Sequence, residues 1–202
     1  MAQPLDMPGN PRKAALRSEM IARRDALPEA ERARVAAALL EIIAALPQYQ
    51  AARNVLATMS IGSELSTRPF IDMALGHGKG LVLPRVTPPP RHLAIHAVPD
   101  FSRDLIPGVW QIPEPDPARC EEVAFADVDF ALVPALAADR GGFRLGYGAG
   151  YFDGLLSGRG PRPFCVAALP AAFIVEELPN EAHDVPVDLV IDERGARLGR
   201  EA

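Results

Sequence analysis

Between Arg144 and Asp153 the chain reads R-L-G-Y-G-A-G-Y-F-D, the densest run of chemistry-bearing residues in the sequence. Gly146, Gly148 and Gly150 alternate, so a short stretch of backbone N–H groups has little side-chain cover. Glycine takes positive φ and permits close backbone approach, and consecutive amides in such a loop form a concave anion site. Tyr151 to Leu156 continues as one or two helical turns, which would aim a helix N-terminus at the same anion. Arg144 adds a full charge at the entrance, and Asp153 places a carboxylate where a phosphate-bound Mg2+ could sit. A glycine-rich turn between strand and helix would account for the glycines alone. The stretch is not a dinucleotide fingerprint, because Tyr151 stands where the third glycine belongs, and no Gly-Lys-Ser/Thr follows to make a P-loop. The specific signal is the combination of arginine, alternating glycines, aromatic pair and aspartate.

Other candidates lie far off in sequence. Lys13 and Lys79 are the only lysines in a chain that otherwise uses arginine. Lys13 precedes Arg17 by one helical turn and shares its face, which makes it a candidate ligand contact, although pattern alone reads as a solvated basic face. Glu64 and Arg85 follow apolar strands, at the carboxyl ends where α/β sheets bind ligands. Taken alone, Glu64 reads as a capping or solvated residue. His92 and His96 have the i, i+4 spacing of a helical metal site, but β-like alternation and neighbouring prolines make them part of an edge strand. Trp110 is either a core anchor or one wall of a pocket. His183 and Asp184 sit in a proline-bounded loop as an Asx turn or a site, and pattern favours the turn.

The elements that must position these residues follow from periodicity. Residues 1–11 carry three prolines and a Gly-Asn pair and read as a loose tail. Arg12 to Leu27 is helical, with Leu16 and Met20 inward and Arg12, Arg17, Arg23 and Arg24 largely outward. Pro28 opens a second helix that runs to about Leu46 and is ended by Pro47. Asn54–Ile61 is a strand, Ser66 or Thr67 caps a helix through Leu75, and 81–85 is a second strand, giving a βαβ unit. Asp100 to Gly108 is a short helix or loop. Strands at 92–96, 128–135, 164–169 and 189–191 complete the pattern. We expect one three-layer α/β/α domain over 12–202, with a mostly parallel, doubly wound sheet and a helical N-terminal cover.

Bulk properties narrow the function classes. The 202 residues are 49% hydrophobic and 23% charged, as in a soluble globular chain able to bury a sizeable core. A net charge of −5 argues against a general nucleic-acid or membrane-surface binder, whereas a small anion needs only a local basic site. Cys120 and Cys165 form neither a Cys-x-x-Cys motif nor a disulfide framework. The first residues lack the pattern of a signal peptide, and no apolar run reaches the ~18 residues of a membrane span, which points to the cytoplasm.

In this order and spacing the chain resembles the 5-formyltetrahydrofolate cyclo-ligase (methenyltetrahydrofolate synthetase) family over nearly its whole length. The likeness runs through Lys13-x-x-Leu16-Arg17, Glu64-Leu65-Ser66-Thr67, Leu83-Pro84-Arg85, Gly108, Glu114-Pro115, Val133-Pro134, the glycine loop and Asp184-x-Pro186-x-Asp188. The resemblance implies an ATP- and Mg2+-dependent closure of 5-formyltetrahydrofolate to 5,10-methenyltetrahydrofolate with release of ADP and phosphate. It assigns ATP to Lys13, Arg17 and the loop Arg144, Leu145, Gly146, Tyr147, Gly148, Ala149, Gly150, Tyr151 and Phe152. It assigns the folate to Met59, Glu64, Tyr147, Gly148, Ala149, Gly150 and Tyr151, and Mg2+ to Asp153 and Asp184. Arg144 and Tyr151 are the implied catalytic residues; separately, we expect a monomer acting on small molecules, with no nucleic-acid or membrane partner. Phe152 replaces the family's second tyrosine, Ala149 a frequent Gly or Lys, Gly154 a usual Arg or Lys, and Asp192 a common threonine. The rival readings are a homologue that binds nucleotide or folate without turnover, and a sugar-phosphate isomerase or acyl-CoA transferase on a similar sheet.

Overall fold

Val55 and Leu56 are adjacent and both fully buried, yet they pack into different cores. The split recurs at Leu81 and Val82, Phe130 and Ala131, Val166 and Ala167, and Leu189 and Val190. Successive side chains on a strand point to opposite faces, so apolar runs of this kind belong to strands covered on both sides. The computed structural model describes residues 10–89, 92–158 and 160–199. Its helices are α1 (Pro11–Asp25), α2 (Glu29–Ala44), α3 (Pro47–Ala51), α4 (Arg68–Gly76) and α5 (Tyr151–Leu156). Its strands are β1 (Asn54–Leu56), β2 (Gly80–Val86), β3 (Leu93–Ala97), β4 (Leu105–Pro107), β5 (Pro113–Pro115), β6 (Phe130–Leu132), β7 (Ala137–Asp139), β8 (Arg144–Leu145), β9 (Phe164–Ala168), β10 (Ile174–Val175), β11 (Leu189–Ile191) and β12 (Arg197–Leu198).

The main sheet has the order β12-β11-β9-β6-β1-β2-β3, parallel except for the antiparallel edges β3 and β12. Side chains of α2, α3 and α4 build the core on one face, and those of α1 and α5 contribute to the other. The three-layer, mostly parallel, doubly wound architecture is as expected. The N-terminal helices straddle the sheet instead of forming one cover. From β1 the chain first moves toward β2 and β3, then returns to place β6 on the other side of β1. The crevice at the carboxyl ends of β1 and β6 is therefore the topological switch point, where such sheets bind ligands.

Boundaries differ where local bonds override pattern. Residues 1–9 of the expected tail lie outside the described residues, and its end is already structured. Asn10 caps α1, its Oδ1 accepting the Arg12 N–H at 3.0 Å. Pro47 begins α3 instead of merely ending α2, since proline suits a first helical turn. Strand β1 stops at Leu56, short of Ile61, because the next segment bonds to Thr67: Thr67 Oγ1 donates to the Thr58 carbonyl at 2.6 Å and accepts the Ser60 N–H at 3.1 Å. Thr67 precedes α4 as expected, but its side chain staples this loop and leaves the helix uncapped.

A small sheet β10-β7-β8 carries the approach to the glycine loop. Asp139, buried at the end of β7, accepts N–H bonds from Gly141, Phe143 and Leu178 and fixes that turn. Gly142 has φ +88°, and its carbonyl accepts the Val187 N–H at 2.9 Å. A Cβ there would lie 2.6 Å from the Val187 carbonyl oxygen, a backbone atom that cannot yield. Gly142→Ala is expected to cost about 2 kcal/mol and lower the melting temperature by roughly 4–8 °C at this chain length. A thermal melt unchanged from the parent would contradict that close approach.

The cysteines are structural. Cys165 on β9 is fully buried, and burial beside Asp188 pushes its thiol pKa up to about 12. Burial also raises that of Cys120. Thiolate is the reactive form, so a chromogenic disulfide reagent at pH 8 is expected to leave the native protein unlabelled and to titrate both thiols in denaturant. Rapid labelling of native protein would refute this placement.

Candidate functional site

The glycine loop runs from β8 into α5. Gly148 (φ +102°) and Gly150 (φ +68°) take the left-handed conformations that the alternating pattern anticipates. None of the amides from Gly146 to Gly150 donates a backbone hydrogen bond among the described residues. Consecutive backbone donors left without protein acceptors are the arrangement suited to an anion. Arg17 of α1 underpins it, its Nε donating to the Gly146 carbonyl at 2.8 Å. The guanidinium lies under Gly148, where an added Cβ would come within 3.3 Å of Arg17 Cζ. Helix α5 is only six residues long, so the loop amides rather than a helix dipole are the principal donors.

Lys13 and Arg17 share one face of α1 as expected, and Lys13 is buried. Its Nζ lies 2.5 Å from Asp184 Oδ2 and 2.9 Å from Glu181 Oε2. Burial lowers the pKa of this ammonium, but bonds to Asp184 and Glu181 outweigh burial and hold it above the ordinary lysine value. A raised lysine pKa stabilises below the unfolded value and loses its contribution only as pH climbs through the folded one, so the cluster is intact at neutral pH. Lys79, the other lysine, donates to the Ala52 carbonyl at 2.6 Å and lies over the Tyr49 ring, away from the loop.

Arg144 corrects the expectation of a charge at the entrance. Its side chain is 3% exposed; Nη1 donates to the Val185 carbonyl at 2.6 Å and Nη2 to Asp153 Oδ1 at 3.0 Å. Burial lowers its pKa, partly offset by Asp153. Asp153 Oδ1 also accepts the Val185 N–H at 3.2 Å, so Asp153 docks on the residue following Asp184. The two aspartates are thus brought together from distant stretches. Asp153 Oδ2 and Asp184 Oδ1 accept no hydrogen bond among the described residues, Asp184 Oδ1 facing exposed His183 Nε2 at 3.8 Å, which leaves each carboxylate one oxygen able to meet a cation. No cluster of three or more His, Cys, Asp or Glu that could hold a metal occurs among the described residues. Two carboxylates completed by phosphate oxygens and water fit Mg2+, which keeps waters and rarely takes an all-protein cage. Asp188, next in the same loop, instead accepts the Cys165 N–H at 2.8 Å and pairs with Arg162.

Glu64 lies in the loop after β1, facing Tyr147 of the glycine loop. Glu64 Oε2 accepts the Ile61 N–H at 2.8 Å, and Oε1 accepts the Tyr147 hydroxyl. Burial, then the Glu64 charge, raises the Tyr147 pKa and keeps the phenol protonated. Arg24 joins them, donating to the Tyr147 oxygen and lying 3.6 Å from Glu64 Oε1. Arg24 was expected to point outward, and its side chain is only 17% exposed. Its spacing from Arg17 was the available sequence signal, but four arginines on α1 left no means of choosing among them. Beside this triad a cavity of about 110 Å³ opens at the switch point, with Arg24, Ser63 and Glu64 on its polar side and Leu39, Phe70 and Leu132 among its apolar walls.

The remaining candidates separate cleanly. His96 is buried on edge strand β3 with Nδ1 against the Cys120 carbonyl at 3.1 Å, in keeping with a strand histidine. Arg85 lies 3.5 Å from buried Glu114 and donates to the Pro115 carbonyl, locking the β4–β5 hairpin to β2. At the tip of that hairpin Trp110 is 45% exposed with φ +56°, so it is not a core anchor. Met59 packs at the edge of the α2/α4 core, and Phe152 packs against the core on the opposite face. Phe152 therefore occupies apolar surroundings, where the missing hydroxyl leaves nothing unpaired.

A family model describing the 5-formyltetrahydrofolate cyclo-ligase family matches residues 10–193. The chain belongs to the 5-formyltetrahydrofolate cyclo-ligase family. It is 30% identical over 181 residues to the 5-formyltetrahydrofolate cyclo-ligase of Mycolicibacterium smegmatis, spanning 89% of this chain and 92% of that protein. The protein of the same name from Mus musculus is 29% identical over 192 residues, spanning 91% and 95%. The solved structure of Aquifex aeolicus 5,10-methenyltetrahydrofolate synthetase superposes with a TM-score of 0.82 at 31% identity, covering 94% of each chain. A Mycoplasma pneumoniae methenyltetrahydrofolate synthetase, 18% identical with a TM-score of 0.70, shares the fold. Within the cyclo-ligase family motif, the departure at Asp192 has a local account: its Oδ1 accepts the Arg194 and Ala196 N–H groups, each at 2.9 Å, and closes the final turn. No helix among the described residues is long and apolar enough to cross a membrane.

Proposed function

We propose that this chain is an ATP-dependent 5-formyltetrahydrofolate cyclo-ligase, forming 5,10-methenyltetrahydrofolate with release of ADP and phosphate. The observation that carries the reading is the run of acceptor-free amides at Gly146–Gly150, set between Arg17 and Glu64. Polyphosphate seats on those amides, with Arg17 and Lys13 supplying charge. Glu64 accepts the N–H groups of the pterin, which sets the formyl oxygen in line with the γ-phosphorus. That oxygen bonds to phosphorus as the bond to the ADP oxygen breaks. N10 then bonds to the formyl carbon and loses its proton, and phosphate departs with the former formyl oxygen. An amide oxygen is a weak nucleophile, so the chain contributes chiefly by position and charge.

Asp153 and Asp184 would hold Mg2+, which when bound neutralises phosphate charge. Lys13 holds Asp184 Oδ2, so the ion would take Oδ1, and the ammonium would face the phosphates beside it. Arg144 acts through Asp153, fixing its orientation. Tyr151, at the start of α5, supplies the one hydroxyl left in the aromatic pair. The same reading has the enzyme working as a monomer in the cytoplasm, on small molecules alone.

The test is a spectrophotometric assay with 5-formyltetrahydrofolate and MgATP, following methenyl product in the near ultraviolet. Product that requires both ATP and Mg2+ is expected. Folded protein that binds both ligands and makes no product would replace this reading with that of a non-catalytic binding homologue.

A further inference from the structure

Arg24 ties three separate segments together. From the last turn of α1 its Nε donates to Ser63 Oγ at 2.8 Å, and Nη1 donates to the Tyr147 hydroxyl oxygen. The guanidinium carbon lies 5.8 Å from the centre of the Tyr147 ring, and Nη1 is 3.6 Å from Glu64 Oε1. The Ser63 hydroxyl in turn donates a hydrogen bond to Asp25 Oδ1, which faces Arg24 Nη2 at 3.7 Å. Arg24 is thus held from behind and charged toward the site.

Glu64 has both oxygens engaged, one by the Ile61 amide and one by Tyr147. A ligand that donates to this carboxylate must replace one of them. The Ile61 amide belongs to a backbone turn closed by the Glu64 N–H on the Ile61 carbonyl at 3.1 Å, so it stays. Tyr147 sits between Gly146 and Gly148, the second at φ +102°, where the loop turns most freely. Its hydroxyl oxygen keeps the Arg24 donor after releasing Glu64.

We propose that Arg24 is a positioning residue for Glu64, and that Tyr147 holds the carboxylate only until a ligand N–H takes its place. The inference rests on the reading of Glu64 as the pterin partner. Binding then exchanges one donor to Glu64 for another, with the Arg24 charge fixing the carboxylate throughout. Two substitutions on one network should therefore act with opposite sign.

The test is titration of 5-formyltetrahydrofolate and, separately, of ATP into the full-length protein by calorimetry, with circular dichroism to check folding. Arg24→Leu is expected to raise the folate Kd about tenfold, because it removes a largely buried positive charge 3.6 Å from the carboxylate. Tyr147→Phe removes the competing donor and is expected to lower the folate Kd by roughly threefold. ATP affinity should stay within about twofold of the parent in both. Arg24→Lys, with charge but no fork to span Ser63 and Tyr147, should fall between Arg24→Leu and the parent. Should Arg24→Leu fail to fold, the lysine variant decides the matter. Equal loss of both ligands, weaker folate binding by Tyr147→Phe, or an unchanged folate Kd in the Arg24 variants would overturn the proposal. Absence of folate binding by the parent protein would instead overturn the reading of Glu64 beneath it.

Discussion

Arg144→Ala is expected to lower kcat/KM about a hundredfold or more and to reduce the melting temperature by roughly 6–12 °C. The stability loss follows from burial. The guanidinium is 3% exposed and is the partner of both Asp153 and the Val185 carbonyl. Removing one member of a buried pair leaves the other charge uncompensated, at about 3 kcal/mol, which at this chain length gives the stated shift. A domain with the usual 5–15 kcal/mol of stability remains folded at 25 °C, so the loss of activity can be measured on native protein. That loss has a separate origin: Asp153 is freed to rotate and the loop carrying Asp184 is no longer fastened, and displacement of a positioning group by about 1 Å costs on the order of 10²-fold. Arg144→Lys should recover part of the melting temperature and less of the rate, because one ammonium cannot reach two acceptors in fork geometry. Steady-state kinetics and thermal melts on the three proteins suffice, and near-parental kcat/KM in Arg144→Ala would remove Arg144 from the machinery.

Arg144 also marks how far a sequence can be read. The loop was legible because its function is local: glycine at 148 and 150 permits the left-handed turns there, and no partner elsewhere is needed to see it. The central strands were legible for a similar reason, since Val55-Leu56 and Val166-Ala167 are apolar on both faces and fit only a covered sheet. Whether an arginine stands at an entrance or beneath the floor is set by the loop at residues 184–188, far along the chain. Arg24 was opaque for the same reason. On α1 the helical wheel offers several arginines, and only the approach of Ser63 and Tyr147 singles one out. Strands β7, β8, β10 and β12 are two or three residues long, with no periodicity to detect and pairing supplied wholly by distant segments.

The aspartates show a middle case. The family resemblance, not the pattern around Asp184, implied a metal pair; the fold docks Asp153 of α5 on the loop that carries Asp184, and nothing in the local pattern announces that Lys13 pairs with Asp184. On the proposed reading the ammonium on Asp184 Oδ2 and a Mg2+ on Oδ1 would share one carboxylate. Two cations that close repel unless phosphate oxygens lie between them, which would tie the Lys13 face of α1 to the glycine loop through Arg17.

Glu64→Gln is the second substitution with a large expected effect, and it separates the two ligands. In the parent, Glu64 is an ionised acceptor held by the Ile61 amide and the Tyr147 hydroxyl, beside the Arg24 guanidinium. Glutamine keeps the shape but replaces one acceptor oxygen by a donor NH2 and removes the charge. If the NH2 takes the inner position it confronts the Ile61 N–H, donor against donor; if it takes the outer position it confronts the incoming pterin N–H. Either way one bond is lost, and the surviving one falls from charge-assisted to neutral. Two such losses of roughly 1.5 kcal/mol each give about a hundredfold rise in the KM for 5-formyltetrahydrofolate. In the proposed reading ATP is held by Lys13, Arg17 and the loop amides, none of which bonds to Glu64, so its KM should move less than about threefold. Arg24, left without its anion, still has Asp25 and Ser63 nearby, and the melting temperature should fall by no more than a few degrees. Kinetics with each substrate varied at saturating levels of the other would measure the split. Parallel rises in both KM values would mean that Glu64 shapes the loop as a whole and does not select the folate.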